Sequence, residues 1–309
     1  MNSVFWMDDP LGINPKKDST YLLIHACFNH HITPYYMMAI TIDGEHLRVT
    51  VAPFKNTDLG DPLQLGPPLQ LTDTDCDVIW LRKDPPVDDA YRRDLLLLNE
   101  FATKVHLLND PKGILLNNEK LAARQFVSLT PPTLITSKKA DIYAFLQTHG
   151  TAIVKPLDGF GGQGIFKLTR SDTNCDTIID QCTHQERVPI ICQKAVDHTT
   201  GDKRVILMDG VPLGCVKRIN YHGHRNNFMA GGVAEPATLT PRDHHIIDTI
   251  RPFIQSNGLF FVGIDIIDGY LIEINVTSPT GLHEINRLDS VSLHDTIIRE
   301  MMLKVTQAC

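Results

Sequence analysis

Residues 155–166 read KPLDGFGGQGIF. Lys155 closes an apolar strand, glycines stand at 159, 161, 162 and 164, and Ile165–Leu168 resumes as a strand. The glycines fit the G-x-G-x-x-G pattern, but a dinucleotide-binding turn needs a helix directly after them. No G-K-[ST] ends the run, so it is not a Walker loop either. Strand, lysine, glycine loop and strand together predict a hairpin that covers nucleotide phosphates. Its N–H groups come close to the phosphate oxygens, and Lys155 supplies a point charge. Taken alone, the motif reads equally well as a plain glycine-rich turn.

Around this stretch, short apolar strands alternate with helical patterns, which predicts an α/β architecture. Ser3–Met7 reads as a first strand. Thr20–Asn29 reads as a helix, with Asp18 and Ser19 as N-cap candidates. Tyr35–Ile40 and Leu47–Phe54 flank Asp43-Gly44 and predict a hairpin, and 55–75 reads as a surface connection. Cys76–Leu81 follows as a buried strand, and Ala90–Leu108 as a helix. Beyond 118 the expected order is helix Glu119–Phe126, strand Thr133–Thr136, helix Lys138–His149, strand Thr151–Lys155, the glycine loop and strand Ile190–Gln193. Arg204–Met208 with Val211–Ile219, and Leu259–Ile267 with Tyr270–Asn275, flank two further Asp-Gly turns. Residues 220–238 read as a mobile loop. The expected domains are 1–117, 118–195 and 196–309.

Composition excludes several classes of function. The 309 residues carry 29 Lys+Arg against 36 Asp+Glu, a net charge of −7, with no basic run. That argues against nucleic acid or an anionic membrane as the main partner. No apolar stretch reaches the roughly 20 residues of a membrane span, and the first ten residues lack the basic start of a signal peptide. The seven cysteines, at 27, 76, 175, 182, 192, 215 and 309, form no C-x-x-C pair. They read as reduced thiols of a cytoplasmic protein.

Asp265, Glu273 and Asn275 fall on the last expected hairpin, among otherwise apolar residues. Carboxylates in such strands are costly unless paired or metal-bound, so they predict Mg²⁺ shared with nucleotide phosphates; solvated acidic residues are the alternative. Parity tests this reading. A strict two-residue turn at 268–269 puts Asp265 and Glu273 on opposite faces, so an odd-length connection with a glycine bulge is expected. Arg82, Lys120, Arg204, Arg218 and Arg225 are the basic residues suited to phosphate and carboxylate recognition. No Ser-His-Asp order or nucleophile elbow is present. The chemistry implied is positioning and charge stabilisation around phosphoryl transfer.

Six segments, RKDPP (82–86), NEK (118–120), KPLDGFGGQGIF, GDKR (201–204), Gly231-Gly232 with Glu235-Pro236, and VGIDIIDGYLIEINVTSPT (262–280), occur in this order and resemble bacterial glutathione synthetase. That family is one of ATP-grasp carboxylate–amine ligases. The resemblance implies a Rossmann-like α/β substrate domain, a central lid and a C-terminal antiparallel-sheet domain. It implies ATP with two Mg²⁺ or Mn²⁺ ions, γ-glutamylcysteine and glycine as substrates, and a homotetramer. It assigns Lys120, Lys155, Gly159, Gly161, Gly162 and Gly164 to the phosphates. Gln193, Lys194, Ala195 and Val196 go to adenine, and Asp202 to ribose. Arg204, Arg218 and Arg225 become catalytic arginines. Arg82, Asp18, Ser19, Asn275, Ser278 and Thr280 bind substrate, and Asp265, Glu273 and Asn275 hold metal. Asn226 and Val233-Ala234 depart from the family's pattern in the loop expected to close over the site. Another ATP-grasp ligase, or a non-catalytic ATP-binding regulator, are the alternative readings.

Overall fold

A computed structural model describes residues 1–159, 161, 163–221, 226–228 and 231–307. The chain begins β1 (Asn2–Trp6), α1 (Ser19–Asn29), β2 (Thr33–Asp43), β3 (His46–Pro53), β4 (Leu69–Thr72), β5 (Val78–Leu81), α2 (Asp89–Asn99) and β6 (His106–Leu108). These strands make one mixed sheet in the order β4-β3-β2-β1-β5-β6. Its centre is parallel, and β5 (VIWL) is buried throughout, as a strand covered on both faces must be.

Next come α3 (Pro111–Leu116), α4 (Glu119–Arg124), β7 (Thr133–Thr136), α5 (Lys139–His149), β8 (Thr151–Pro156), β9 (Phe166–Thr169), α6 (Cys175–Cys182) and β10 (Ile190–Lys194). The second sheet is antiparallel, in the order β7-β10-β8-β9. The chain ends with β11 (Asp202–Met208), β12 (Val211–Ile219), β13 (Val233–Pro236), α7 (Pro241–Ser256), β14 (Phe261–Ile267), β15 (Tyr270–Asn275), α8 (Leu282–Asp289) and α9 (Leu293–Gln307). Its third sheet, β13-β12-β11-β14-β15, is antiparallel as well.

Alternation divides the third sheet between two duties. Val205, Leu207, Val262 and Ile264 face α7 and pack on Ile246, Ile250 and Ile254. On the opposite face, Ile206 and Phe261 join a core that includes Phe5, Trp80 and residues of α1, α8 and α9. Helix α9 lies along α1, where Asn29 donates to Asp295. The final helix therefore covers the first one.

Several expectations need correction. The expected helix over 90–108 stops at Asn99, and His106–Leu108 instead pairs with β5 as a parallel strand. Leu107 and Leu108 extend the apolar pattern of α2, so periodicity alone ran the two elements together. The first hairpin turns on Gly44–Glu45, because Asp43 already pairs with His46. Within 55–75, Leu69–Thr72 is a strand, and within 220–238, Val233–Pro236 pairs with β12.

The last hairpin reaches the expected outcome by another route. Its turn has two residues, Asp268 and Gly269, both at positive φ. The register then shifts so that Ile266 faces Leu271 while Asp265 faces Glu273, leaving Ile272 as a bulge. Leu271 and Ile274, three apart, therefore both face α7, and Asp265 and Glu273 are paired neighbours across the ladder. The extra residue lies inside β15 and not in the turn.

Candidate active site

A cleft of about 230 Å³ opens beside the third sheet. It is lined by Lys120 at the head of α4, by Gly159 and Gly161, and by Arg204, Arg218, Asp265, Glu273, Asn275, Ser278 and Thr280. These come from four separate stretches of sequence. Asn118 caps α4 by accepting from the Lys120 and Leu121 N–H groups, which aims Lys120 across the cleft. The Lys120 ammonium donates to the Gly159 carbonyl and lies 3.6 Å from Glu273 Oε1.

Register builds a row of charges across the sheet: Arg218 opposite Asp202, Arg204 opposite Asp265, and Asp265 opposite Glu273. Arg204 grips Asp265 with two hydrogen bonds, Nε to Oδ1 at 2.5 Å and Nη2 to Oδ2 at 3.0 Å. Its Nη1 donates to the Thr280 carbonyl at 3.0 Å. Arg218 donates through Nε to Asp202 Oδ1 at 2.5 Å and meets Asp265 Oδ2 at 3.0 Å through Nη2. The Phe228 ring lies over its guanidinium at 5.6 Å. Burial opposes ionisation of Asp265, yet the two guanidiniums hold its carboxyl far below the usual range.

The metal expectation can be tested on these donors. Among the described residues no trio of His, Cys, Asp and Glu side chains forms a metal cage. Glu273 and Asn275, two apart on β15, do present oxygens to the cleft, while Asn275 Nδ2 is turned away onto the Gly263 carbonyl. A carboxylate and an amide oxygen suit Mg²⁺, which takes few protein ligands and completes its shell with phosphate and water. Asp265 stands level with them but is engaged by both arginines, so a third metal bond there would compete with two ion pairs.

Lys155 lies behind the glycine loop, between the second sheet and the cleft. It is 5% exposed and, among the described residues, its ammonium donates only to the neutral Gln193 Oε1 at 3.3 Å. Burial pulls its pKa below the ordinary lysine value, with Glu273 opposing. Gln193 in turn donates to Thr133 Oγ1. Both side chains line a small cavity shared with Lys120. Lys194 and Ala195 donate their N–H groups to Pro132 and Thr151, which anchors the end of β10. The Val196 N–H has no acceptor among the described residues. In the glycine loop, Gly161 and Gly164 have positive φ, and a Cβ at Gly159 would strike Pro156 at 2.7 Å. The expectations for Gly162 and Arg225 fall outside the described residues.

Four predicted residues carry other duties in this structure. Asp202 is 6% exposed and engaged by Arg218, not open for a ribose. Asp18 caps α1, accepting from Thr20 and Tyr21 N–H, and Ser19 Oγ accepts from Leu282 N–H. Neither lies on the cleft wall. Arg82, 4% exposed, sits behind it and donates to Thr20 Oγ1 and to the Pro279 carbonyl. One nitrogen, Nη1, has no partner among the described residues.

Two carboxylates were missed as site residues. Glu119 Oε1 accepts from Val276 N–H, Thr277 N–H and Thr277 Oγ1, tying the head of α4 to the end of β15. Burial and then Glu273 push its pKa up to about 7. Asp84 lines the cleft and accepts from the Ser278 hydroxyl. Both belong to motifs visible in the sequence, but their partners lie 158 and 194 residues away. Among the departures from the family pattern, Asn226 is buried and works as a pin. It accepts from Asn220 N–H and donates to the His198 carbonyl.

Comparison with known proteins gives a consistent result. The N-terminal domain profile of prokaryotic glutathione synthetase matches residues 1–114, and its ATP-grasp domain profile matches 119–290. A glutathione synthetase of Prochlorococcus marinus (strain MIT 9313) is 37% identical over 99% of this chain and all of its own. One of Rhodopseudomonas palustris is 38% identical over 91% of this chain and 92% of its own. Among solved structures, D-cycloserine synthetase aligns with a TM-score of 0.67 at 13% identity, over 99% of this chain and all of its own. D-alanine–D-alanine ligase from Bacillus anthracis, complexed with ATP, aligns at 0.57 and 11% identity, over 99% and 97%. These two likenesses concern the fold.

Proposed function

The chain belongs to the prokaryotic glutathione synthetase family and is an ATP-dependent carboxylate–amine ligase; from that premise we propose that it joins γ-glutamylcysteine to glycine in this cleft. The observation that carries the reading is the facing of two charge sets across one space. Lys120 and Lys155 lie on the glycine-loop side, and the Arg204–Asp265–Arg218 row lies on the sheet.

A carboxylate is a poor electrophile until it is phosphorylated. The cysteinyl carboxylate of the donor attacks the γ-phosphorus of ATP, ADP leaves, and an acyl phosphate forms. The glycine amine then attacks the acyl carbon, and phosphate leaves as the amide forms. Lys120 and Lys155 hold the phosphates, with the N–H groups of the glycine loop beside them. Arg204 and Arg218 offset charge on the transferring phosphoryl group and on the donor carboxylate. Gln193–Val196 borders the adenine, and Ser278 and Thr280 border the acceptor. Arg82 fixes the loop that carries both through the Pro279 carbonyl. Glu273 and Asn275 would hold Mg²⁺ or Mn²⁺, with Asp265 as a third donor if its arginines turn to the substrates. The metal, when bound, would supply further neutralisation of phosphate charge. Asn226 holds the segment that would exclude water from the acyl phosphate. The boundaries 1–117, 118–195 and 196–309, a homotetramer and a cytoplasmic setting complete the proposal. Among the described residues no helix is long and apolar enough to cross a membrane.

ADP release measured against a panel of donors and acceptors tests the reading. Turnover should require γ-glutamylcysteine and glycine together. Equal turnover with D-alanine or glutamate as acceptor, and none with glycine, would overturn it.

A further inference from the structure

The cleft's carboxylates differ in how their charge is met. Asp265 has two guanidiniums, Glu273 has Lys120 at 3.6 Å, and Glu119 Oε1 accepts three hydrogen bonds. Asp84 has the Ser278 hydroxyl on Oδ1 and, among the described residues, no basic nitrogen within 4 Å. Its Oδ2 has no donor there, and the side chain is exposed to the cleft.

The surroundings sharpen the imbalance. Among the described residues, the charged groups that act on Asp84 are Arg82, Asp18 and Asp8, three carboxylates with Asp84 itself against one guanidinium. Arg82 is turned away to Thr20 and the Pro279 carbonyl, with its guanidinium over the Phe261 ring at 4.9 Å. Lys83 points to the Trp6 ring, 5.4 Å away. The Asp84 N–H donates to Asp8 Oδ2, so the backbone holding this anion is fixed. An anion partly surrounded by protein, with one oxygen open and too little positive charge nearby, suits a small cationic ligand.

Resting on the ligase reading, we infer that Asp84 receives the ammonium group of the acceptor amino acid, beside Ser278. The acceptor arrives as a zwitterion, and its cation would compensate the excess negative charge at this end of the cleft. Ser278 fixes Oδ1 and leaves Oδ2 for the ammonium. Partial desolvation within the cleft, with Asp18 and Asp8 nearby, raises the Asp84 carboxyl above its ordinary value, and a bound cation would reverse that shift.

The test varies each substrate in turn with Asp84→Asn, which keeps an oxygen for the Ser278 hydroxyl and removes the charge. The KM for glycine should rise about tenfold or more, while those for ATP and γ-glutamylcysteine stay within about twofold. Ser278→Ala, which keeps the charge, should raise the glycine KM less. On the unaltered enzyme, methylamine should compete with glycine and glycolate, which lacks the ammonium, should compete poorly. An unchanged glycine KM in Asp84→Asn overturns the inference. So does a rise confined to the γ-glutamylcysteine KM, which would assign the donor's ammonium to this site, or glycolate competing as well as methylamine. If the unaltered enzyme has no glycine-dependent turnover, the reading of glycine as acceptor fails with the inference, and that outcome is separable from the others.

Discussion

The two walls of the cleft treat buried charge in opposite ways. On the third sheet, Arg204 and Arg218 are matched by Asp202 and Asp265 in a closed network, held in register by the strands. On the glycine-loop side, Lys155 rests on a neutral amide and Lys120 on a carbonyl and a more distant carboxylate. A matched network holds its geometry while no substrate is present. Under-matched cations are costly to bury, and they gain most when an anion arrives. One wall therefore provides shape and the other provides attraction.

The largest expected effect comes from breaking the matched wall. Arg218→Met leaves Asp202 and part of Asp265 uncompensated and should lower unfolding free energy by about 3–5 kcal/mol in a denaturant titration. If stability holds within experimental error, the network is not a structural unit. Lys155→Met should do the reverse. Catalytic efficiency for ATP should fall about a hundredfold, while thermal stability stays level or rises, because the change removes a poorly paired buried cation. A parallel loss of stability would erase the contrast between the walls.

A third substitution asks how tightly the flanking loop is tied down. Asn226→Ala removes two side-chain hydrogen bonds and should cost about 1–3 kcal/mol. It should also raise ADP formed per amide as the acyl phosphate leaks to water. Unchanged coupling would separate the pin from closure of the site.

The smallest effect lies away from the cleft, at three histidines for which burial outweighs the nearby carboxylates. Burial lowers the pKa of His25, His283 and His294 below 6.5. The unfolded chain then takes protons first as pH falls. The stability these residues contribute is complete above about 6.5 and is lost as pH drops through their folded values. Melting temperature should decline below that pH in unaltered protein and decline less in His25→Phe. Equal slopes would place the acid sensitivity elsewhere.

Much of this arrangement was legible locally. Thr133–Thr136, Val211–Ile219 and Tyr270–Asn275 have the expected bounds, because Asp-Gly turns or Pro-Pro breaks mark their ends. Lys120, Arg204, Glu273 and Ser278, all singled out in the sequence, line one cleft. What was not legible depends on distant partners. Nothing near Asp202 says that Arg218 claims its carboxylate, and nothing near Ser19 says that Leu282 uses its hydroxyl, whereas the cap that Asp18 gives α1 follows from the local sequence. Parity alone calls for an extra residue in the last hairpin and points to the turn, but the bulge falls at Ile272 inside β15. Leu107 and Leu108 needed β5 beside them to become a strand.

The cover that α9 gives α1 has a consequence during synthesis. Asn29 and the Asp295 it bonds are 266 residues apart. At roughly 5–20 residues per second, the apolar side of α1 waits about 13–50 s for its permanent partner to leave the ribosome. The first sheet can pair its strands early, yet part of its core stays open to solvent, or to a chaperone, for that whole interval. The newborn N-terminal segment is thus the stage of this protein's life most exposed to aggregation, and completion of the last helix ends it.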